Sequence, residues 1–232
     1  MKKTLIALFA LSGSLLADTV TGSFVYSATA TENKYTVTFD KPLLTMADIK
    51  SDTAQKDINT ITLGTTPNTF TVDEETAYTP NVNIGTQAGT WTLSFTLTNK
   101  TQKDIVLDSM IFDIFLFNSS GNKQAADSVD RPVTFTLAQV VDTVSTMIGS
   151  VTTPDYVSSQ NYEVKLDIKN NLTLAGGQTV KFALTAADGD TDTGNGTFVG
   201  LSSVGFKTIP EPTTATLSLL ALAGLAARRR RK

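Results

Sequence analysis

Neither histidine nor cysteine occurs in this chain of 232 residues. Without an imidazole there is no Ser-His-Asp or Cys-His nucleophile, no His-ligated zinc and no His proton shuttle. Without a thiol there is no disulfide, so stability has to come from burial and from sheet hydrogen bonds. Basic residues are also scarce where a partner would meet them. Of 19 Lys and Arg, seven (Lys2, Lys3, Arg228, Arg229, Arg230, Arg231, Lys232) sit at the two ends, leaving 12 against 21 acids in residues 18–208 once Glu211 is set aside. A body with that excess of negative charge repels nucleic acid and anionic lipid. Its cations are scattered, and the nearest two, Lys100 and Lys103, share a polar turn. No internal repeat and no Rossmann-type glycine fingerprint appears.

Carboxylates, Lys, Ser, Thr and Tyr remain for chemistry. A glycosidase needs only two carboxylates flanking a bond, but 21 acids make a chance pair inevitable, so the pattern gives no positive reason to expect an enzyme or a cofactor. The segment Asp188-Gly189-Asp190-Thr191-Asp192 spaces three acids as a calcium loop does. It lacks the glycine of an EF-hand at the sixth position, where Thr193 stands, and the bidentate acid at the twelfth, where Val199 stands. Asp188, Asp190 and Asp192 therefore read first as a solvated turn.

The middle of the chain reads as strands. Thr19–Ala30 is rich in Thr, Val, Ser and aromatic residues, and Lys34–Phe39 alternates, with Tyr35, Val37 and Phe39 on one face. Thr45–Lys50 fits one helical turn. Short strands at Thr60–Leu63 and Thr69–Val72 precede a long loop over 73–90. Trp91–Thr98 is the cleanest strand, with Trp91, Leu93, Phe95 and Leu97 facing a core, so the lone Trp packs inside rather than stacking on a sugar. Ile105–Phe117 is long for one strand and predicts a bulge near Asp108-Ser109. Its far half is apolar on both faces, which predicts cover on both sides or a partner; Asp113, in register with Ile111, Phe115 and Phe117, is expected at an exposed sheet edge. Pro132–Leu137 is a strand, and Ala138–Val151 fits helix or strand, with β-branched content favouring strand. Tyr162–Ile168, a Gly176-Gly177 turn leading into a strand, and Gly196–Phe206 complete the series. The fold class is all-β: a single antiparallel β-sandwich over residues 18–208, immunoglobulin-like or jelly-roll, flanked by hydrophobic helices at both ends.

Those ends carry the functional information. Met1-Lys2-Lys3 and the apolar stretch Thr4–Leu16 form a secretory signal with Ala17 before the cut, which implies a secretion translocase as a partner. At the other end, Pro210 and Pro212 forbid a helix running out of the body. The uncharged segment 213–227 favours helix and reaches about 22 Å, a marginal membrane span that flanking arginines can extend. The basic cluster 228–232 keeps its end on the cytoplasmic side.

Pro210-Glu211-Pro212, a short apolar helix and Arg228-Arg229-Arg230-Arg231 at the C-terminus closely resemble the PEP-CTERM sorting domain of exported Gram-negative bacterial proteins. The resemblance implies that Pro210, Glu211 and Pro212 are read by an exosortase, a membrane protease that cuts near them and removes the tail. It implies an inner-membrane sorting intermediate followed by the cell surface or extracellular polysaccharide, and covers only residues 209–232. A non-enzymatic structural or adhesive body is the leading expectation. A carbohydrate-binding module with Tyr26, Tyr78 or Tyr156 as platform is the alternative, and a carboxylate-based glycosidase the third.

Overall fold

The computed structural model describes residues 18–28, 33–54, 61–63, 70–72, 77–80, 82, 89–117, 132–154, 162–188 and 198–209. Among these there is no helix. Twelve strands run in chain order: β1 Asp18–Ala28, β2 Asn33–Phe39, β3 Leu44–Ser51, β4 Ile61–Leu63, β5 Phe70–Val72, β6 Thr90–Asn99, β7 Ile105–Phe117, β8 Val133–Val141, β9 Val144–Thr152, β10 Tyr162–Leu174, β11 Thr179–Asp188 and β12 Phe198–Ile209. β4 and β5 form a separate hairpin; the other ten make one antiparallel sheet in the order β10-β7-β12-β1-β2-β3-β6-β11-β8-β9.

That sheet folds back on itself. Seven strand steps separate β7 from β8, and at about 4.8 Å each a flat sheet would hold them about 34 Å apart. The rings of Phe112 on β7 and Phe135 on β8 nevertheless lie edge to face at 4.9 Å, and Phe206 on β12 meets Phe95 on β6 at 6.5 Å. Two five-stranded layers result, β10-β7-β12-β1-β2 over β3-β6-β11-β8-β9. At one corner β2 and β3 share a single paired position, Val37 with Met46. At the other, β9 and β10 lie alongside each other, and a Cβ on Gly149 would stand 2.4 Å from Leu166 Cδ2 and 2.5 Å from the Asp167 carbonyl oxygen. Only glycine lets the two edges approach so closely.

Strand pairing decides between the two expected topologies. With β2 to β5 set aside, the eight remaining strands pair first with last (β1 with β12), second with seventh (β6 with β11), third with sixth (β7 with β10) and fourth with fifth (β8 with β9). This is the rolled-up hairpin of a jelly roll, not the immunoglobulin order. The core is the alternate set of each strand: Trp91, Leu93, Phe95 and Leu97 on β6, Met110, Phe112, Ile114 and Leu116 on β7, Val199, Leu201, Val204 and Phe206 on β12, all essentially without exposure.

Several local expectations are corrected. Thr45–Lys50 is strand, not a helical turn: Asp48 takes φ 51° at a bulge between Ala47 and Lys50, and its carboxylate accepts from Thr96 Oγ1 at 3.0 Å. The strand reading favoured for Ala138–Val151 holds, in the form of a hairpin in which β8 turns into β9 at Asp142-Thr143. β10 runs on through Asn170 and Asn171, both at positive φ, where a bulge absorbs the residues between Asp167 and Leu172; asparagine tolerates that region better than most residues. The bulge foreseen near Asp108-Ser109 is present, since Lys207 pairs with Ser109 and Thr208 with Leu107, passing over Asp108. Asp113 is not at an edge: β7 is flanked by β10 and β12. β12 continues past Phe206 to Ile209, so the ladder ends directly before Pro210.

Candidate functional site

The sorting residues Pro210, Glu211 and Pro212, the segment 213–227 and Arg228 to Arg231 lie outside the described residues, as do Asp190, Asp192, Tyr156 and the signal segment 1–17. Asp188 is the last residue of β11. Among the described residues no helix is long and apolar enough to cross a membrane, and no three acids converge as a metal would need.

The base of the tail is defined by its neighbours. Ile209 pairs with Val106 on β7, and Thr208 pairs with Asp18, the first residue of β1. Thr208 Oγ1 donates to the Asp18 carbonyl at 3.1 Å, and the Asp18 carboxylate is held by Lys41 Nζ. Both termini of the body therefore leave from one end of the sandwich, side by side.

Tyr78 is no platform. It is buried without exposure, its backbone makes a two-bond bridge with Leu201 at 2.8 and 2.9 Å, and its ring packs against Tyr35 at 5.2 Å and Trp91 at 5.1 Å. Its hydroxyl bonds Ser51 Oγ at 2.8 Å. Burial pushes its pKa above the usual tyrosine value, with the Asp52 charge adding to the rise and the Ser51 bond opposing it. Tyr26 belongs to β1 and Trp91 to the core; Trp91 Nε1 is buried with no hydrogen-bond partner among the described residues.

The alkaline behaviour follows from Tyr78. Its folded pKa lies above its unfolded one, so the folded state binds the extra proton and the stability is whole below about pH 10 and lost as pH climbs beyond it. Melting temperatures of wild type and Tyr78→Phe should differ by the loss of one hydrogen bond, about 1 kcal/mol, at neutral pH. Above pH 10 the wild type should fall more steeply. Parallel curves would remove Tyr78 as the titrating group.

A concave site lies on the outer face of the β10-β7-β12-β1 layer. A cavity of about 250 Å³ is lined by Thr19, Thr21, Ile111, Asp113, Glu163, Ser203 and Gly205. Register builds it: Glu163 stands opposite Asp113, Asp113 opposite Ser203, and Ile111 opposite Gly205, which faces Thr21. The floor is low because Gly205 has no side chain; a Cβ there would meet the Val20 carbonyl oxygen at 2.7 Å. Ser203 Oγ donates to Asp113 Oδ2 at 2.7 Å and accepts from the Asp113 amide at 3.2 Å. Towards its Phe117 end, β7 is buried on this outer face too, where Phe115 and Phe117 pack with each other and Phe117 stacks on Phe198 at 5.3 Å.

The groove offers carboxylate and hydroxyl oxygens that can accept from polyol hydroxyls, and one aliphatic wall at Ile111. Among the described residues no aromatic ring lines it, and it is smaller than the roughly 300–1,000 Å³ of ordinary ligand pockets. Sequence reasoning missed it because Glu163 and Ser203 come from strands whose pairing with β7 is set by topology. The one local signal was Asp113 among the outward residues of the otherwise apolar far half of β7.

Comparison with known proteins adds one informative match. Residues 208–232 match the model of the PEP-CTERM protein-sorting motif. No curated protein matches the chain. Among solved structures, CBM51-2 in complex with GlcNAc and INT domains from Clostridium perfringens ZmpB aligns over 84% of this chain and 38% of its own, at 11% identity and TM-score 0.35. A CocE/NonD family hydrolase from Staphylococcus aureus aligns over 81% of this chain and 41% of its own, at 7% identity and TM-score 0.34. The chain thus spans well under half the length of either, and likeness at this level carries no argument about function.

Proposed function

We propose, from a chain whose last 25 residues carry a PEP-CTERM sorting motif, that this is an exported, non-enzymatic protein. Its signal segment delivers it to a secretion translocase, and an exosortase reads Pro210-Glu211-Pro212 and releases the body to the cell surface or the surrounding polysaccharide. The carrying observation is the motif match over residues 208–232, which begins at the last two residues of β12, Thr208 and Ile209. The acidic, cysteine-free body agrees with a structural or adhesive role outside the cell.

Contact with polysaccharide is a second reading, favoured by the groove with Asp113, Glu163 and Ser203 on one outer face. We read that groove as binding rather than cleaving. A glycosidase sets its two carboxyls on either side of the bond, whereas Asp113 and Glu163 rise side by side from one sheet face.

Replacing Pro210, Glu211 and Pro212 together by Ala in the producing cell tests the sorting reading. The expected result is accumulation of tail-bearing protein in the membrane fraction and its disappearance from the surface. Unchanged surface delivery of trimmed protein would overturn it.

A further inference from the structure

The described residues hold four exposed large hydrophobic side chains: Val141 (58%), Val144 (64%), Met147 (52%) and Ile209 (37%). Their distribution is not random. β12 ends at Ile209, level with the start of β7 at Val106 and the start of β1 at Asp18. The ladder carries that level through the second layer. Gly22 pairs with Phe39 near the end of β2, Leu44 at the start of β3 with Asn99 at the end of β6, Thr98 with Thr179 at the start of β11, and Lys181 with Val140. The β8–β9 hairpin therefore turns at the same end of the sandwich from which the tail leaves. Val141 and Val144, its last paired residues, and Ile209 lie on one end surface, and Met147 follows up the same hairpin.

The chain beyond Ile209 limits what can lie against this surface. Only Pro210, Glu211 and Pro212 separate it from the uncharged segment beginning at Thr213. Four Cα steps reach at most about 14 Å, and the headgroup layer on each side of the hydrocarbon takes up about 5–8 Å of that. With the apolar segment in a bilayer, the end of the sandwich can stand no more than about 6–9 Å from the headgroup layer.

We infer that, in the precursor still carrying its tail, the surface formed by Ile209 and the β8–β9 hairpin tip at Val141 and Val144 docks onto the phospholipid bilayer, setting the sandwich upright with the opposite end outward. This rests on the reading that residues 213–227 enter the membrane. Charge does not drive it: Lys41, Lys100 and Lys103 near this end are matched by Asp18, Asp40, Asp104 and Asp142. The contact is apolar and shallow, since Asp142 at the hairpin apex stays at headgroup level. It needs no anionic lipid, and cutting near Pro210–Pro212 releases it.

The absence of native cysteine allows clean single-site labelling. Full-length protein carrying Val144→Cys, Ala54→Cys at the opposite end, or Ala221→Cys within the apolar segment is labelled with a fluorophore. Each is reconstituted into phosphatidylcholine vesicles containing lipid with a headgroup-level or an acyl-chain quencher. The expected result is strong quenching at 144 by the headgroup quencher, none at 54, and strong quenching at 221 by the acyl-chain quencher. Quenching at 221 with 144 as unquenched as 54 overturns the docking and leaves the tail in the membrane. No quenching at 221 overturns the membrane reading and the docking with it. Val141→Ser with Val144→Ser should abolish headgroup-level quenching of a label at position 143 while quenching at 221 persists; quenching at 143 that survives the double change also overturns the docking.

Discussion

A body stopped before Phe198 is expected not to fold, whereas one stopped after Ile209 melts in a single cooperative transition. The reason is that the last described strand, β12, is an interior strand of the sheet, hydrogen-bonded to β7 on one side and β1 on the other. Without it, Val199, Leu201, Val204 and Phe206 leave the core. At about 1.5–3 kcal/mol for each buried side chain the loss is about 6–12 kcal/mol, comparable with the roughly 5–15 kcal/mol by which whole domains are stable. Both flanking strands would also lose a ladder. Circular dichroism melting of residues 18–197 and 18–209 decides it, and a cooperative transition in the shorter chain would contradict the topology. The consequence for sorting is that the sheet cannot be completed until the residue next to Pro210 has been exported.

Phe112→Ala should lower stability by about 3–5 kcal/mol. Phe112 has no exposure, and its ring meets Phe135 across the two layers rather than along one. The cavity opens where β7 and β8 are held together only by side chains, so backbone hydrogen bonds cannot close it. Urea denaturation of the variant should show a lower midpoint with an unchanged slope. A loss below about 1 kcal/mol would mean that the layers are not packed there as described.

The alternating strands β2, β6 and the start of β10 could be read from single segments because each buries every second residue. β3 and β9 could not, for a common reason. In β3 the bulge at Asp48 moves the inward position from Met46 to Ile49, and in β9 the bulge at Ile148 shifts it before Gly149 and Val151, so both imitate helical spacing. Tyr78 was expected on a loop surface because nothing local shows that Leu201, far along the chain, pulls it into the core. The groove was illegible for the same reason: Glu163, Asp113, Ser203 and Thr21 meet only through pairing between distant strands. The sorting motif, by contrast, is a linear signal and needed no fold to be seen.

The central claim is that the sandwich is the part that finally stands outside the cell, freed of both hydrophobic ends. The intact mass of wild-type protein recovered from the surface or medium of its own cells tests this most directly. The account predicts a chain starting at Asp18 and ending between Ile209 and Pro212. A full 232-residue chain recovered from the cytosol, with none outside, would contradict it.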